Sequence, residues 1–381
     1  MKQGRSLTEL AMEIERRAEL KSDYVADSSK VKLVPENRDY DSWEKVNMEI
    51  DGIGDFEIAD HAHSQLSGFT QIPKTYYDRM KKDEPSLLAL NVNHWLKEQP
   101  GRRLIRTLKH DVDPVTVQEA DLLHPPVTMG QARAWLSDRY RIMDNEEVAE
   151  AILPVIFKMG DIRVESCEVT DSRLYLKVIF PWLEDEVEKE GRKVGDVVQA
   201  GICLGNSEIG MGSTFVEPMI FRLSCLNGAR MRDHGMKKFH LGRVIGEGKN
   251  AEEFFKDDTL LADDRAFLLK LRDVVRASAD QVQFKLLVDK MSDATREKIE
   301  GDPVKVVEQV SKKYGFNDPE RFGVLKNLIA GGDLSKYGLM NAITAASQEV
   351  EDYDRASDLE KIGGDVIELN RSEWKTIAIA A

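Results

Sequence analysis

Residues 197–243 constrain the chain more than any other stretch. An apolar strand leads into a glycine-rich segment with Gly205, Gly210 and Gly212, and a second apolar strand runs through Met219 to Cys225. A basic segment follows. Two apolar runs joined by a short glycine-rich connection pair as an antiparallel hairpin, with the glycines supplying positive φ at the turn. GNSEIGMGS is not a phosphate loop: no Gly-Lys-Ser/Thr follows, and the chain continues as a strand rather than a helix.

The basic segment is the strongest functional lead. Between Arg222 and Arg243 stand six cations (Arg222, Arg230, Arg232, Lys237, Lys238, Arg243) against one acid, Asp233, with Phe239 interleaved. Arg102, Arg103, Arg106 and Lys109 form a second acid-free group, and Arg139, Tyr140 and Arg141 a third. Cations that neutralise phosphate, beside rings on which bases stack at about 1–3 kcal/mol each, are the chemistry of single-strand binding. A salt-bridged protein surface explains the same residues equally simply. The net charge of −14 argues against a chain that coats nucleic acid over its whole surface. That charge is uneven: about −5 over 1–130, about −2 over 131–245 and about −7 over 246–381.

At 381 residues the chain has room for two or three domains. The pattern gives an N-terminal helical and mixed region (1–130), an α+β core with an antiparallel sheet (131–245) and a helical C-terminal region (246–381). The expected class is α+β, with a central, mostly antiparallel sheet. Residues 6–21 predict an amphipathic helix opened by a Ser6–Glu9 capping box. The polar run 22–30 reads as a linker, and 31–34 and 46–50 as strands. Asp60, Pro73 and Pro85 open helices. Residues 131–143 read as a strand, with Asp144 or Asn145 capping a helix that contains Pro154. A hairpin over 162–180 turns at Asp171-Ser172. The charged segment 183–195 reads as a loop. Residues 262–291 read as one long helix, and Gly363-Gly364 as a helix stop.

Sites of covalent or metal chemistry are weakly marked. Cys167, Cys203 and Cys225 are far apart and form no CxxC, which fits three small buried residues in a reducing compartment. His61 and His63 are two residues apart and diverge on a helix. His110, Asp111 and Asp113 are a thin cation-site candidate. No apolar run approaches the ~20 residues of a membrane span, and the N-terminus lacks a signal-peptide core, so a cytoplasmic protein with no membrane partner is expected.

At SDRYRIMDN (137–145) and NSEIGMGSTFVEPMIFRLSCLNG (206–228) the sequence resembles the phage- and plasmid-encoded domain-of-unknown-function family nine-three-two. QLSGFTQIPKTYYDRM, NVNHWL and KYGLMNAITAASQEVEDYDRASDLEKIGG extend the likeness over residues 55–365. The resemblance implies a mobile-element context in a bacterial host cell and an α+β protein, and carries no catalytic residue with it. The order of helix, hairpin, strand pair and helices is also similar to that of single-strand annealing proteins, which bind DNA in a basic groove as rings or filaments.

The expectation is therefore a phage recombination or replication accessory that binds single-stranded DNA and promotes annealing. It would act as a homo-oligomer without a cofactor, metal or catalytic residue, alongside a phage or host recombination or replication protein. Arg102, Arg103, Arg106, Arg139, Arg141, Arg230, Arg232, Lys237, Lys238 and Arg243 would contact phosphate, and Tyr140 and Phe239 would stack on bases. One alternative is a non-enzymatic protein that blocks host restriction, its acidic helices mimicking DNA. Another is a metal-dependent hydrolase using Asp111 and Asp113.

Overall fold

The computed structural model describes residues 2, 4–36, 45–110, 128–189, 192–231, 236–238 and 257–380. These form an α+β fold of two mostly antiparallel sheets, one more than the single central sheet expected. Helix α1 (Leu7–Leu20) begins with the expected capping box and buries Leu10 and Ile14.

The first sheet contains β1 (Lys21–Asp27), β2 (Val31–Glu36), β3 (Lys45–Ile50), β4 (Gly54–Ile58), β5 (Arg102–Lys109) and β6 (Gly130–Ser137), in the order β1-β5-β6-β4-β3-β2. Only the β4–β6 pair is parallel. Helices α2 (Asp60–Thr70), α3 (Lys74–Asp83) and α4 (Pro85–Glu98) cover one face. Met48, Phe56, Leu66, Tyr77, Leu88 and Ile105 share that core. Each such residue contributes about 1.5–3 kcal/mol by leaving water. Residues 22–30, expected as a linker, instead form β1 and a short 3₁₀ turn. An edge strand paired only with β5 can keep Ser22, Asp23 and Asp27 polar while Tyr24 and Ala26 pack inward.

Helix α5 (Asn145–Phe157) leads from the first sheet to the second. Asp144 caps it, and Glu147 completes the box. The helix continues through Pro154, which lies on its exposed face. The second sheet is antiparallel throughout: β7 (Arg163–Val169), β8 (Leu174–Lys189), β9 (Arg192–Asn206), β10 (Thr214–Arg222) and β11 (Asn227–Arg230), with β12 (Met236–Lys238) also pairing with β10. Of the segment 183–195, expected as a loop, the described residues 183–189 and 192–195 extend β8 and β9 as a ribbon as far as the Lys189–Arg192 pair. Buried Leu183 and Val187 anchor it among its charges.

Seven helices complete the described chain: α6 (Asp257–Ala277), α7 (Gln281–Arg296), α8 (Pro303–Tyr314), α9 (Asp318–Gly331), α10 (Lys336–Ala346), α11 (Tyr353–Ile367) and α12 (Arg371–Ala378). The expected long helix divides into α6 and α7 because Asp280 turns its carboxylate back onto the Val282 and Gln283 amides, 3.0 Å from each. α1 and α5–α7 pack on one face of the second sheet. The last helices share a core of their own, with Val306, Leu328, Ile343, Leu359 and Trp374 at its centre. Gly363 and Gly364 do not stop α11; they lie inside it and let it approach its neighbours. Strand β6, expected to open the middle region, lies between β5 and β4 of the first sheet, while α1 packs into the core of the second.

His63 sits buried under α3, its Nδ1 2.9 Å from the Tyr77 hydroxyl. Burial, helped by Lys81, pushes its pKa down to about 3. The unfolded chain therefore binds a proton between pH 6.5 and 3 that the folded chain refuses. This contribution to stability is intact above the unfolded value and declines as pH falls below it. Between pH 7 and 5 it should fall by about 2 kcal/mol. Urea melts at the two pH values should show that loss, and His63→Gln should shrink it; an equal loss in the variant assigns it to other groups.

Candidate nucleic-acid interface

The residues expected to touch DNA divide into two sets. Arg106 belongs to the interior, with a side chain only 1% exposed. A bulge in the β5–β6 pairing occurs between Arg106 and Thr107. The Arg106 guanidinium donates from Nε to Asp23 Oδ1 (3.1 Å), from Nη1 to the Glu208 carbonyl (2.8 Å) and from Nη2 to Asp144 Oδ1 (2.6 Å). Lys21 holds the other Asp144 oxygen. Burial works against the Arg106 charge, but the two carboxylates reverse that effect and raise its pKa. Burial likewise disfavours the Asp144 carboxylate, yet Arg106 and Lys21 hold its pKa below the ordinary value. A phosphate has no access here, so Arg106 is removed from the contact set.

Tyr140 is removed as well. It is buried, its hydroxyl donates to the Ser207 carbonyl (3.0 Å) and accepts from the Gly210 amide (3.1 Å). Burial raises the pKa of that phenol. No base can stack on a ring in this position. Arg141 donates to Asp264 Oδ2 (2.5 Å) and is mostly covered. Arg230 is buried in the second sheet, where it donates from Nε (3.0 Å) and Nη2 (2.6 Å) to Glu217 Oε2 and from Nη1 to Ser357 Oγ (2.9 Å). Arg222 is spent on Asp196.

The segments 137–145 and 206–228 converge on one junction between the sheets. Glu208 accepts from the Asn145 backbone amide at Oε1 (2.9 Å) and from Arg133 Nη1 at Oε2 (3.1 Å). Asn206 Nδ2 donates to the Met143 carbonyl and to Asn145 Oδ1, each at 2.9 Å, while its Oδ1 accepts from Thr214 Oγ1 (2.6 Å). His61 Nε2 and Gln65 Nε2 on α2 each lie 2.9 Å from the Ile209 carbonyl. The turn of the β9–β10 hairpin is thus a plug between the sheets. Of its three glycines only Gly210 has a positive φ (80°). Gly205 is needed for space, since a Cβ there would stand 2.4 Å from the Phe215 ring. Spacing in the sequence could not show that Glu208, read as a turn residue, is a buried partner of an arginine seventy-five positions earlier.

A second set, Arg102, Arg103 and Arg139, lies at one end of the first sheet. Register places Arg103 opposite Ser137, beside the turn that carries Asp138 and Arg139. Arg102 and Arg139 are exposed. Arg103 is half-buried, its guanidinium 4.2 Å from the centre of the Phe69 ring, which packs in turn against Trp135 at 5.7 Å. One end of the first sheet therefore gathers three arginines and an aromatic ring. On the second sheet, register sets Lys237 opposite Phe215 and Lys238 opposite Thr214. Arg232, Phe239 and Arg243 lie outside the described residues.

Among the described residues no group of three or more His, Cys, Asp or Glu side chains is placed to hold a metal ion. Asp111 and Asp113 lie outside them. Cys167 and Cys203 are buried as expected, whereas Cys225 is exposed. No described helix is long and apolar enough to cross a membrane. No protein-family model matches the chain, and neither does any curated protein or solved structure.

The two sets should separate in stability measurements. Arg106→Ala would take the guanidinium from the buried Asp144 carboxylate and the Glu208 carbonyl and should cost about 3–5 kcal/mol in urea unfolding. Arg102→Ala, on an exposed position, should stay within about 0.5 kcal/mol of the native chain. Equal small losses would show that the junction is solvated.

Proposed function

We propose that the chain binds single-stranded nucleic acid and promotes annealing, as an accessory to recombination or replication of a mobile element in a bacterial cytoplasm. The observation that carries this reading is the gathering of Arg102, Arg103 and Arg139 at one end of the first sheet, with Arg103 stacked on Phe69. Guanidinium groups neutralise phosphate, and their flat faces, like the ring below, accept bases without reading sequence. Lys237 and Lys238 add positive charge at an edge of the second sheet. The overall negative charge keeps such contact local. Arg106, Arg141, Arg230 and Tyr140 shape the scaffold in this reading and do not meet the strand at this end of the sheet.

Counterion release makes the test quantitative. Affinity for labelled oligo-dT should fall steeply with salt, and each phosphate contact removed should lower the log–log slope by about 0.7. Arg102→Ala, Arg103→Ala and Arg139→Ala combined should reduce the slope by about 2. An unchanged slope takes this end of the sheet out of the site, and absence of binding at low salt sinks the reading altogether.

A further inference from the structure

The second sheet has two buried faces of different chemistry. One is apolar and packs on α1 and α5–α7. The other, beneath α11, carries Tyr175 and Lys177 along β8, with Arg173 just before that strand, Phe215 on β10 and Arg230 on β11. Arg230 lies 4.5 Å from the centre of the Phe215 ring, and Arg173 donates to the Tyr175 hydroxyl (3.1 Å). Glu217 stands among these cations, its Oε2 2.6 Å from Arg230 Nη2.

Helix α11 meets that face with carboxylates. Asp358 lies 3.5 Å from Arg173, and Glu360 Oε2 lies 2.6 Å from Lys177 Nζ, both side chains of the latter pair being wholly buried. Asp354 accepts from Thr170 (3.2 Å) and Ser172, and Ser357 accepts from Arg230. Tyr353 lays its ring 5.4 Å from Tyr175 and 4.8 Å from Lys177 Nζ. An acidic helix with an aromatic residue thus stands where a strand's phosphates and bases would stand on a cationic, aromatic sheet face.

A permanent cover would be more stable over an apolar face. Taking both ions of Lys177–Glu360 out of water costs several kcal/mol each, and hydrophobic residues of similar volume in such places are often as stabilising or more so. Beyond the ion-pair contact, neither Lys177 Nζ nor the Glu360 oxygens find a well-aligned hydrogen bond among the described residues. The covering unit, α8–α12, also has its own hydrophobic core. Among the described residues, only Tyr337, Met340 and Ile367 of that unit join the main core. Its internal packing does not depend on the sheet charges.

We propose that α11 is an autoinhibitory cover, and that single-stranded nucleic acid takes its place on the Arg173–Lys177–Arg230 face. This rests on the reading above and extends it: the exposed arginines make the first contact, and the covered face is the second. Exchange of carboxylates for phosphates leaves the cations neutralised throughout, so opening exposes no bare charge at its end point.

The test uses the full chain and labelled oligo-dT of about thirty nucleotides, long enough to span several such contacts. Asp354→Asn with Asp358→Asn loosens the clasp at half-buried positions and should tighten binding about tenfold at fixed low salt. Asp318→Asn with Glu351→Gln removes the same charge from exposed positions and should change affinity by no more than about twofold, the share expected of long-range charge alone. In the unaltered chain, saturating oligo-dT should speed amide exchange across 353–367. Gly364→Ala offers a second route, because a Cβ there would stand 1.8 Å from the Arg230 carbonyl oxygen and force the helix away. It should speed the same amides without DNA and tighten binding. If oligo-dT binds while exchange across 353–367 stays unchanged, the cover is overturned and the exposed arginines keep their role. If neither the native chain nor any variant binds at low salt, both readings fall. Equal tightening in the two charge pairs also overturns the cover, because charge alone would then explain it.

Discussion

The ion network around Arg106 holds the two halves of the molecule in one arrangement. It joins an edge strand (Asp23), the cap of α5 (Asp144) and the β9–β10 turn (the Glu208 carbonyl) through one guanidinium. Glu208 then continues the network to Arg133 and to the first amide of α5. A planar donor with a fixed fork suits this task, since each N–H points in a set direction and the group stays charged when buried. Such a junction contributes less net stability than an apolar one of equal size, and what it adds is a single register between the sheets. The close approach at Gly210, where a Cβ would stand 2.9 Å from Leu136 of the first sheet, follows from the same plug.

Two uses of charge coexist in the chain. At the junction each guanidinium nitrogen of Arg106 has a partner, and the arrangement has the character of a fixed joint. Beneath α11, Arg230 pairs with Glu217 of the sheet, but Arg173 and Lys177 find their opposite charges on a unit with its own core, and the Lys177–Glu360 pair is poorly hydrogen-bonded among the described residues. The physical contrast lies in who supplies the opposite charge. Where neighbouring strands and caps supply it, separation would require the sheets to come apart. Where one helix supplies it, separation requires only that the helix lift.

Much of the local structure was legible in the residues. Ser6 with Glu9 and Asp144 with Glu147 mark helix starts because they answer unpaired amides close in the chain, and Pro85 does so because it has no amide N–H to leave unpaired in a first turn. The hairpins at 162–180 and 197–226 follow from alternation and turn residues. The misread segments share a cause. Residues 22–30 and 183–195 look like connections because they are polar, yet 22–27, 183–189 and 192–195 are strand because a neighbour offers them backbone partners. Gly363 and Gly364 look like a stop and serve as a close-packing surface. Backbone pairing and close approach are properties of the partner as much as of the segment.

The candidate site shows the same division more sharply. Sequence alone determined that this is an α+β chain, where most helices begin, and that its cations gather near 102–106, 139–141 and 222–243, since each depends on residue type and near spacing. Only tertiary structure decided which of those cations face water. Arg102 and Arg106 sit four residues apart on one strand, yet one is exposed and the other buried among carboxylates. The difference comes from Asp23, Asp144 and Glu208, which are distant in the chain and meet Arg106 only once both sheets have formed. Charge is written into each residue, but its availability depends on what the fold places beside it.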